Sequence, residues 1–275
     1  QLIGKVAPAL AAGCTMIVKP SVEAPLSAFI LAKICDEIGI PAGVFNLVLG
    51  PGRVIGDALC AHPDVDMISF TGSNRTGISV VNAASHSVKR VCQELGGKSP
   101  MIIAPDADLE AAVKHGVIDV MTNSGQTCTA LTRMLVPQEH YEQAITYARQ
   151  AAENIKVGSP EQPSSYMGPL VSKQQYSSVL GYIQQGIDGG ARLVTGGLSR
   201  PVGLEVGYFV QPTIFADVRN DMVIAQEEIF GPVLCMISYK NIEQAIEIAN
   251  DNIFGLSAAV WSASAENAMV IAKQI

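Results

Sequence analysis

The feature that most constrains this sequence is an alternation. From the N-terminus to Glu94, short apolar runs at Met16 to Val18, Val44 to Leu49 and Met67 to Phe70 are separated by segments with helical spacing. That βαβα punctuation predicts an α/β fold built on parallel strands. Ala24 to Ile38 places Leu26, Phe29, Ile30, Lys33 and Ile34 at helical spacing and stops at Gly39 and Pro41, a helix-ending pair. A second helix is expected over Val54 to Ala61, a third over Ile78 to Ala84 and a strand over Val88 to Glu94. The turn cluster Gly96-Gly97-Lys98-Ser99-Pro100 then breaks the pattern. With 275 residues the chain is long enough for two domains, so the boundary is expected here, giving 1–96 and 97–275. Beyond it, Asp106 is expected to cap a helix carrying Leu109, Val113, Val117, Val120 and Met121, which delivers the chain to Asn123-Ser124-Gly125-Gln126-Thr127-Cys128. Glu139 to Ile155 and Ser172 to Gly186 read as further helices, followed by a glycine-rich passage from Gly189 to Gly207.

Composition excludes several classes. Charged residues are 16% and apolar residues 48%, so the sequence is written for burial and not for disorder. The net charge of −7 contains no basic block, and nucleic acid is not an expected partner. The longest uncharged stretch, Ile38 to Gly52, is broken by Gly and Pro and is shorter than the ~18 to 20 residues a bilayer span needs. The six cysteines are dispersed without a CxxC pair, which argues against a disulfide framework or a zinc site and for a reducing compartment. The four histidines lack metal spacing. The expectation is a cytoplasmic protein with no metal.

Three places carry chemistry. The strand Met67 to Phe70 runs through Gly72 and Ser73 to Gly77 and into a helix. The spacing is GxxxxG and not the dinucleotide fingerprint, but a helix N-terminus with a serine hydroxyl favours a phosphate oxygen. A capped helix after a strand accounts for the same residues. Cys128 sits among small uncharged neighbours just past a helix end, where a thiolate nucleophile finds access and N–H donors; the competing reading is a buried structural cysteine. Glu94 closes an apolar strand, where α/β sites are built and general bases are useful, although an exposed strand-end acid is equally consistent.

Taken together and in order, Phe70-Thr71-Gly72-Ser73, Glu94-Leu95-Gly96-Gly97-Lys98-Ser99-Pro100, Gly125-Gln126-Thr127-Cys128 and Glu227-Glu228-Ile229-Phe230-Gly231-Pro232 closely resemble the aldehyde dehydrogenase superfamily. The resemblance runs from Pro8-Ala9-Leu10 to Phe254-Gly255-Leu256-Ser257, and the separation of Glu94 from Cys128 fits it. It implies a Rossmann-like parallel-sheet cofactor domain over 1–96, a catalytic α/β domain over 97–275, and NAD or NADP as cofactor. By the same resemblance Cys128 is the nucleophile and Glu94 the base that activates a water. The Cys128 N–H helps to hold the oxyanion. Lys19 contacts the adenosine ribose, Gly72, Ser73 and Gly77 form the phosphate turn, Leu95 lies near the carboxamide, Glu228 takes the nicotinamide ribose and Phe230 the nicotinamide end. Lys98 matches the motif, with a structural and a catalytic role both open.

Two departures stand out. NAD-preferring members carry an acid directly after Lys-Pro-Ser/Ala, whereas this chain reads Lys19-Pro20-Ser21-Val22-Glu23. Val22 neither accepts ribose hydroxyls nor repels a 2′-phosphate, so relaxed cofactor choice is expected unless Glu23 reaches the same place. The family's oxyanion-hole asparagine would fall before Gln1, and its C-terminal pairing strand after Ile275. The chain is therefore expected to be an internal portion of a longer homo-oligomeric enzyme, dimer or tetramer, with little activity alone and sheet edges prone to associate. The implied reaction is NAD(P)-dependent oxidation of a small aldehyde to an acid through a cysteine thioester. A CoA-acylating relative, in which the glutamate is often replaced, and a non-catalytic nucleotide-binding protein of the same fold are the alternatives. Glu94 argues against the first, and retention of both Cys128 and Glu94 against the second.

Overall fold

A computed structural model describes residues 1–275. The chain divides into two compact units, Gln1–Leu95 and Gly96–Ile275.

The first unit contains α1 (Leu2–Ala11), β1 (Met16–Val18), α2 (Leu26–Glu37), β2 (Phe45–Leu47), α3 (Asp57–Ala61), β3 (Met67–Thr71), α4 (Asn74–Ala84) and β4 (Arg90–Glu94). β1 pairs with β2 and β3 with β4, both parallel, as two separate two-stranded sheets. Helix α2 ends as its sequence dictates: Gly39 takes φ +78° and the Ile40 N–H returns to the Cys35 carbonyl at 2.9 Å, a left-handed stop that favours glycine. Two local expectations need correction. The segment expected as one helix over Val54 to Ala61 is a π-helical turn at Gly52–Gly56 followed by α3. The strand expected from Val88 starts at Arg90, because Ser85–Ser87 forms a tight 3₁₀ turn and Val88 itself takes φ +54° with its side chain in solvent, a backbone region that a β-branched residue enters at a cost.

The second unit is an α/β sandwich. Its elements are β5 (Pro100–Ile103), α5 (Leu109–Met121), β6 (Arg133–Pro137), α6 (Tyr141–Glu153), α7 (Lys173–Asp188), β7 (Arg192–Thr195), β8 (Thr213–Ala216), α8 (Val223–Gln226), β9 (Val233–Tyr239), α9 (Ile242–Asn250), β10 (Ala259–Trp261) and α10 (Ala265–Ala272). The six strands form one sheet in the order β10-β5-β6-β9-β8-β7, parallel except for the antiparallel β7–β8 edge. Side chains alternate between two apolar layers. Met134, Leu234 and Met236 join Val113, Val117 and Ala148 of α5 and α6 on one face, and Phe215, Val233 and Cys235 join Val179, Ile183 and Ile224 of α7 and α8 on the other. Every residue of β5, β6 and β8 is buried, the mark of a sheet covered on both faces. Such continuous apolar runs cannot be told from buried helix by periodicity, so these strands are not among those the sequence predicts.

The cap of α5 also moves. Asp108, not Asp106, accepts the Ala111 N–H at 3.1 Å, while the Asp106 carboxylate takes the Ser262 hydroxyl at 2.8 Å. Two acids two residues apart are equivalent to a capping rule, and the buried face of α5 against the sheet selects between them. Ser172, by contrast, caps α7 where the sequence places it, accepting the Gln175 N–H at 3.2 Å.

Candidate active site

In the second unit the segments Gly96-Gly97, Gly125 to Cys128 and Glu227 to Pro232 meet through close backbone contacts. Cys128 is the second residue of a turn closed by the Ala130 N–H on the Thr127 carbonyl at 3.2 Å. Its own N–H donates to no protein acceptor, and its side chain is half-buried. The turn is reached through three consecutive left-handed residues, Asn123 (φ 53°), Ser124 (φ 57°) and Gly125 (φ 72°). Left-handed backbone costs a non-glycine residue roughly 1–2 kcal/mol, and here side chains hold it in place. Ser124 Oγ donates to the Gly168 carbonyl at 2.9 Å, Asn123 Nδ2 to the Gln126 carbonyl at 2.9 Å, and Gln126 Oε1 accepts the Val171 N–H at 3.0 Å. Gln126 was quoted only as part of a motif; its role as the tie between the cysteine loop and Val171 emerges from the structure.

Gly96 and Gly97 are glycines for steric reasons. A Cβ on Gly97 would collide with the Cys128 carbonyl oxygen, and one on Gly96 with the Glu228 carboxylate. The Gly97 N–H donates to Glu228 Oε1 at 3.2 Å, and Oε2 takes no protein donor. Burial pushes the Glu228 carboxyl above its ordinary range, opposed by that N–H and by Lys98. Gly125 lies so close to the Gly231-Pro232 backbone that a Cβ would overlap it, which sets the cysteine loop beside the Glu228 loop. Phe230 is partly exposed with φ 53°, and Gln175 Nε2 holds this strained loop by donating to the Ile229 and Phe230 carbonyls at 3.1 and 2.8 Å.

Two further residues were not singled out by the sequence. Arg133, 1% exposed, opens β6 and spends its guanidinium on neutral acceptors: the Lys98 carbonyl at 2.9 Å, Asn220 Oδ1 at 3.0 Å, and the Ile248 and Ala249 carbonyls at 2.7 and 2.8 Å. The last two belong to the final turn of α9, where partial negative charge welcomes a cation, and burial still pushes the guanidinium down to about 10. Asn220 extends the network, since its carbonyl accepts from Gln226 Nε2 at 2.7 Å and Asn252 Nδ2 reaches the Gln226 carbonyl at 3.2 Å. The signal available in the sequence was a lone arginine opening the apolar run Arg133 to Val136.

In the first unit, Lys19 follows β1 with its Nζ on the Pro20 carbonyl at 2.6 Å. Val22 is 60% exposed, and neighbouring Glu23 is exposed with its N–H on Ser21 Oγ at 3.2 Å. Ser73 is the N-cap of α4: its Oγ accepts the Thr76 N–H at 3.3 Å and lies 3.0 Å from Thr76 Oγ1. The hydroxyl expected to be free for a phosphate is thus also the helix cap, and α4 begins earlier than expected. Gly72 donates to the Glu94 carbonyl at 3.1 Å. Gly77 has no room for a side chain, since a Cβ would lie 2.8 Å from Leu95 Cδ2, and its carbonyl accepts Gln93 Nε2 at 2.7 Å. The turn from Gly72 to Gly77 therefore packs directly on the end of β4, where Glu94 is exposed and Leu95 half-buried. Lys19, Val22, Gly72, Ser73, Gly77, Glu94 and Leu95 fall in the first unit; Cys128, Glu228 and Phe230 fall in the second. No three His, Cys, Asp or Glu side chains are grouped to hold a metal ion, and no helix is long and apolar enough to cross a membrane.

Comparison with known proteins bears on the whole chain. The aldehyde dehydrogenase family pattern matches residues 1–275. A 3-succinoylsemialdehyde-pyridine dehydrogenase of a Pseudomonas species is 55% identical over 275 residues, covering 100% of this chain and 58% of the relative. Among solved structures, a mutant of aldehyde dehydrogenase C of Pseudomonas syringae, in complex with NAD+ and octanal, superposes with a TM-score of 0.99 at 48% identity over 100% of this chain and 56% of that one. A Mycobacterium tuberculosis aldehyde dehydrogenase complexed with NAD+ gives 0.97 at 46% identity, over 99% of this chain and 56% of that one. The chain thus spans a little over half the length of these relatives. The α/β architecture and the motif order expected from the sequence hold along its full length, and the chain belongs to the aldehyde dehydrogenase family.

Proposed function

We propose that this chain is the cofactor-binding and nucleophile-bearing part of an enzyme that oxidises a small aldehyde to its carboxylic acid with NAD or NADP. What supports the reading most directly is the meeting of Gly97 with both the Cys128 carbonyl and the Glu228 carboxylate, a cysteine turn with an unused amide beside an acid with an unused oxygen. The Cys128 sulfur adds to the aldehyde carbon, and its free N–H faces the oxygen that gains charge. Loss of hydride from that carbon leaves an acyl thioester. Glu94 takes a proton from a water that attacks the thioester carbon, releasing the acid and the Cys128 thiol. NAD(P), when bound, supplies the hydride acceptor.

The residues fit that group. Glu228 Oε2 has free lone pairs for a ribose diol, Gly96 leaves room beside it, and Ser73 at the start of α4 offers a hydroxyl and helix-terminal N–H groups suited to phosphate. By the family resemblance Lys19 is assigned the adenosine ribose, the Leu95 backbone the carboxamide and Phe230 the nicotinamide end. With Val22 in place of an acid, nothing at that position repels a 2′-phosphate, and NADP is accepted beside NAD. Assembly as a dimer or tetramer carries over from the same resemblance, and the dispersed cysteines without a CxxC pair support a cytoplasmic location. The 3-succinoylsemialdehyde-pyridine dehydrogenase and the octanal-bound aldehyde dehydrogenase among the relatives point to a semialdehyde or a medium-chain aldehyde as substrate class.

The test is reduced-cofactor formation by the full-length enzyme with aliphatic, aromatic and semialdehyde substrates. Cys128→Ala is expected to abolish turnover, by at least about 10³-fold. Glu94→Gln retains one burst of reduced cofactor per site and loses steady turnover. Val22→Glu lowers the NADP-to-NAD ratio of kcat/KM; an unchanged ratio removes Val22 as the determinant. Activity that needs added CoA replaces hydrolysis with acyl transfer, and full activity in Cys128→Ala overturns the thiol mechanism.

A further inference from the structure

Lys98 is 2% exposed, and its Nζ has neither a hydrogen bond nor an ion pair. A buried polar group left without a partner is rare and asks for an explanation. The sheet register places its neighbours. Pro100, Arg133 and Cys235 sit side by side on β5, β6 and β9; Lys98 leads into β5 two residues before Pro100, its carbonyl accepts from Arg133 Nε at 2.9 Å, and its ammonium feels the Cys235 thiol. Cys235 Sγ donates to the Ile224 carbonyl of α8 at 3.2 Å, and α8 runs straight into Glu227 and Glu228. One residue before Lys98, the Gly97 N–H is on Glu228 Oε1. The backbone next to Lys98 is thus tied to the Glu228 carboxylate through Gly97, and the buried ammonium acts electrostatically on that carboxylate. Arg133, the other buried cation there, has its guanidinium committed to carbonyls and Asn220.

We propose that Lys98 is a positioning residue that acts through Glu228, its ammonium being the counter-charge that holds that carboxylate toward the ribose of a nicotinamide cofactor. The inference rests on the reading of Glu228 given under the proposed function. The groups that face Lys98 are Glu228, Glu227, the Cys235 thiol and Arg133. Burial pushes the Lys98 ammonium down, Cys235 pulls it up, Arg133 lowers it further and Glu228 and Glu227 raise it, while burial raises the Glu228 carboxyl against the Gly97 N–H and Lys98. Each group supports the other's charged form, and neither has a charged side chain within ion-pair distance.

The experiment compares the full-length parent with Lys98→Met, Glu228→Gln and the double variant. Infrared titration of the carboxylate stretch, with Glu228→Gln as the subtraction, reads the ionisation of Glu228 without any turnover. Its midpoint is expected to rise in Lys98→Met, and an unchanged midpoint overturns the proposal. Lys98→Met is expected to raise the KM for NAD+ about tenfold, and to add nothing in the Glu228→Gln background. The same loss in both backgrounds, with a lowered Tm, means a packing role and overturns it. Removing Lys98 leaves the Glu228 carboxylate without its counter-charge, so a fall in Tm in the parent background is expected to vanish in the Glu228→Gln background; if the methionine variant does not fold, Lys98→Gln carries the same comparisons. A parent that oxidises no aldehyde defeats the proposed function, while the titration still decides whether Lys98 acts on Glu228.

Discussion

Helices α2 and α5 carry the same kind of message and meet different fates. In α2, Leu26, Phe29, Ile30 and Ile34 recur at helical spacing, yet they stand 73%, 45%, 61% and 44% exposed. In α5, Val113, Val117, Val120 and Met121 recur in the same way and are fully buried. The difference lies in what each helix packs on. α5 lies between α6 and a six-stranded sheet whose other face is also covered, whereas α2 belongs to a unit whose strands pair only two by two. In that first unit Val6, Ala28, Cys35, Cys60, Val80 and Ala84 are the buried apolar residues, all small or medium in size. The stripe specifies a helix in both cases; the stability it yields depends on apolar area removed from water, which the neighbours supply.

That contrast can be broken most forcefully at Arg133. Arg133→Leu leaves the Lys98, Ile248 and Ala249 carbonyls without their donor in the second unit, and is expected to cost about 3 kcal/mol or more, read as a lower denaturation midpoint, together with a raised KM for cofactor because Gly97 and Asn220 lose their anchor. A midpoint equal to the parent's would show that the network is ornamental. A matched pair of truncations sharpens the comparison next. Val117→Ala is expected to cost about 1–3 kcal/mol, from lost burial and a cavity, while Ile30→Ala stays within about 0.5 kcal/mol in the 275-residue chain. Equal losses would mean that the exposed stripe of α2 is covered in solution.

The smallest expected effect is a pH dependence at Glu228. Its carboxyl is raised in the folded protein, so the folded state favours the protonated form more than the unfolded chain does, and stability is lost as pH rises from the ordinary value of 4.5 through the raised value. Glu228→Gln therefore melts higher than the parent near pH 7, with a gain that fades as pH falls toward 4.5. A gain that grows on acidification would reverse the sign and remove burial as the dominant influence on this group.

Much of the candidate site was legible because short-range rules are strong there. Gly39 ends α2 through a left-handed residue, Ser73 and Ser172 cap helices with their own hydroxyls, and β3 leads through Gly72 into α4, all from neighbours in the chain. The Glu94 to Pro100, Gly125 to Cys128 and Glu227 to Pro232 motifs also read directly, since each is a contiguous segment. What the chain order could not convey is contact between distant segments. Gly97 must be glycine because Cys128 is beside it, Gly125 because Gly231 is, and Asp108 rather than Asp106 caps α5 because the sheet chooses the buried face. Arg133 reads as one more charge until α9 lays its final carbonyls over it. The sequence by itself determined most of the helices and turns, which local backbone chemistry dictates. Only the tertiary structure decided which polar groups are buried and on whose carbonyls they rest, because burial and partnership are set by segments far apart along the chain.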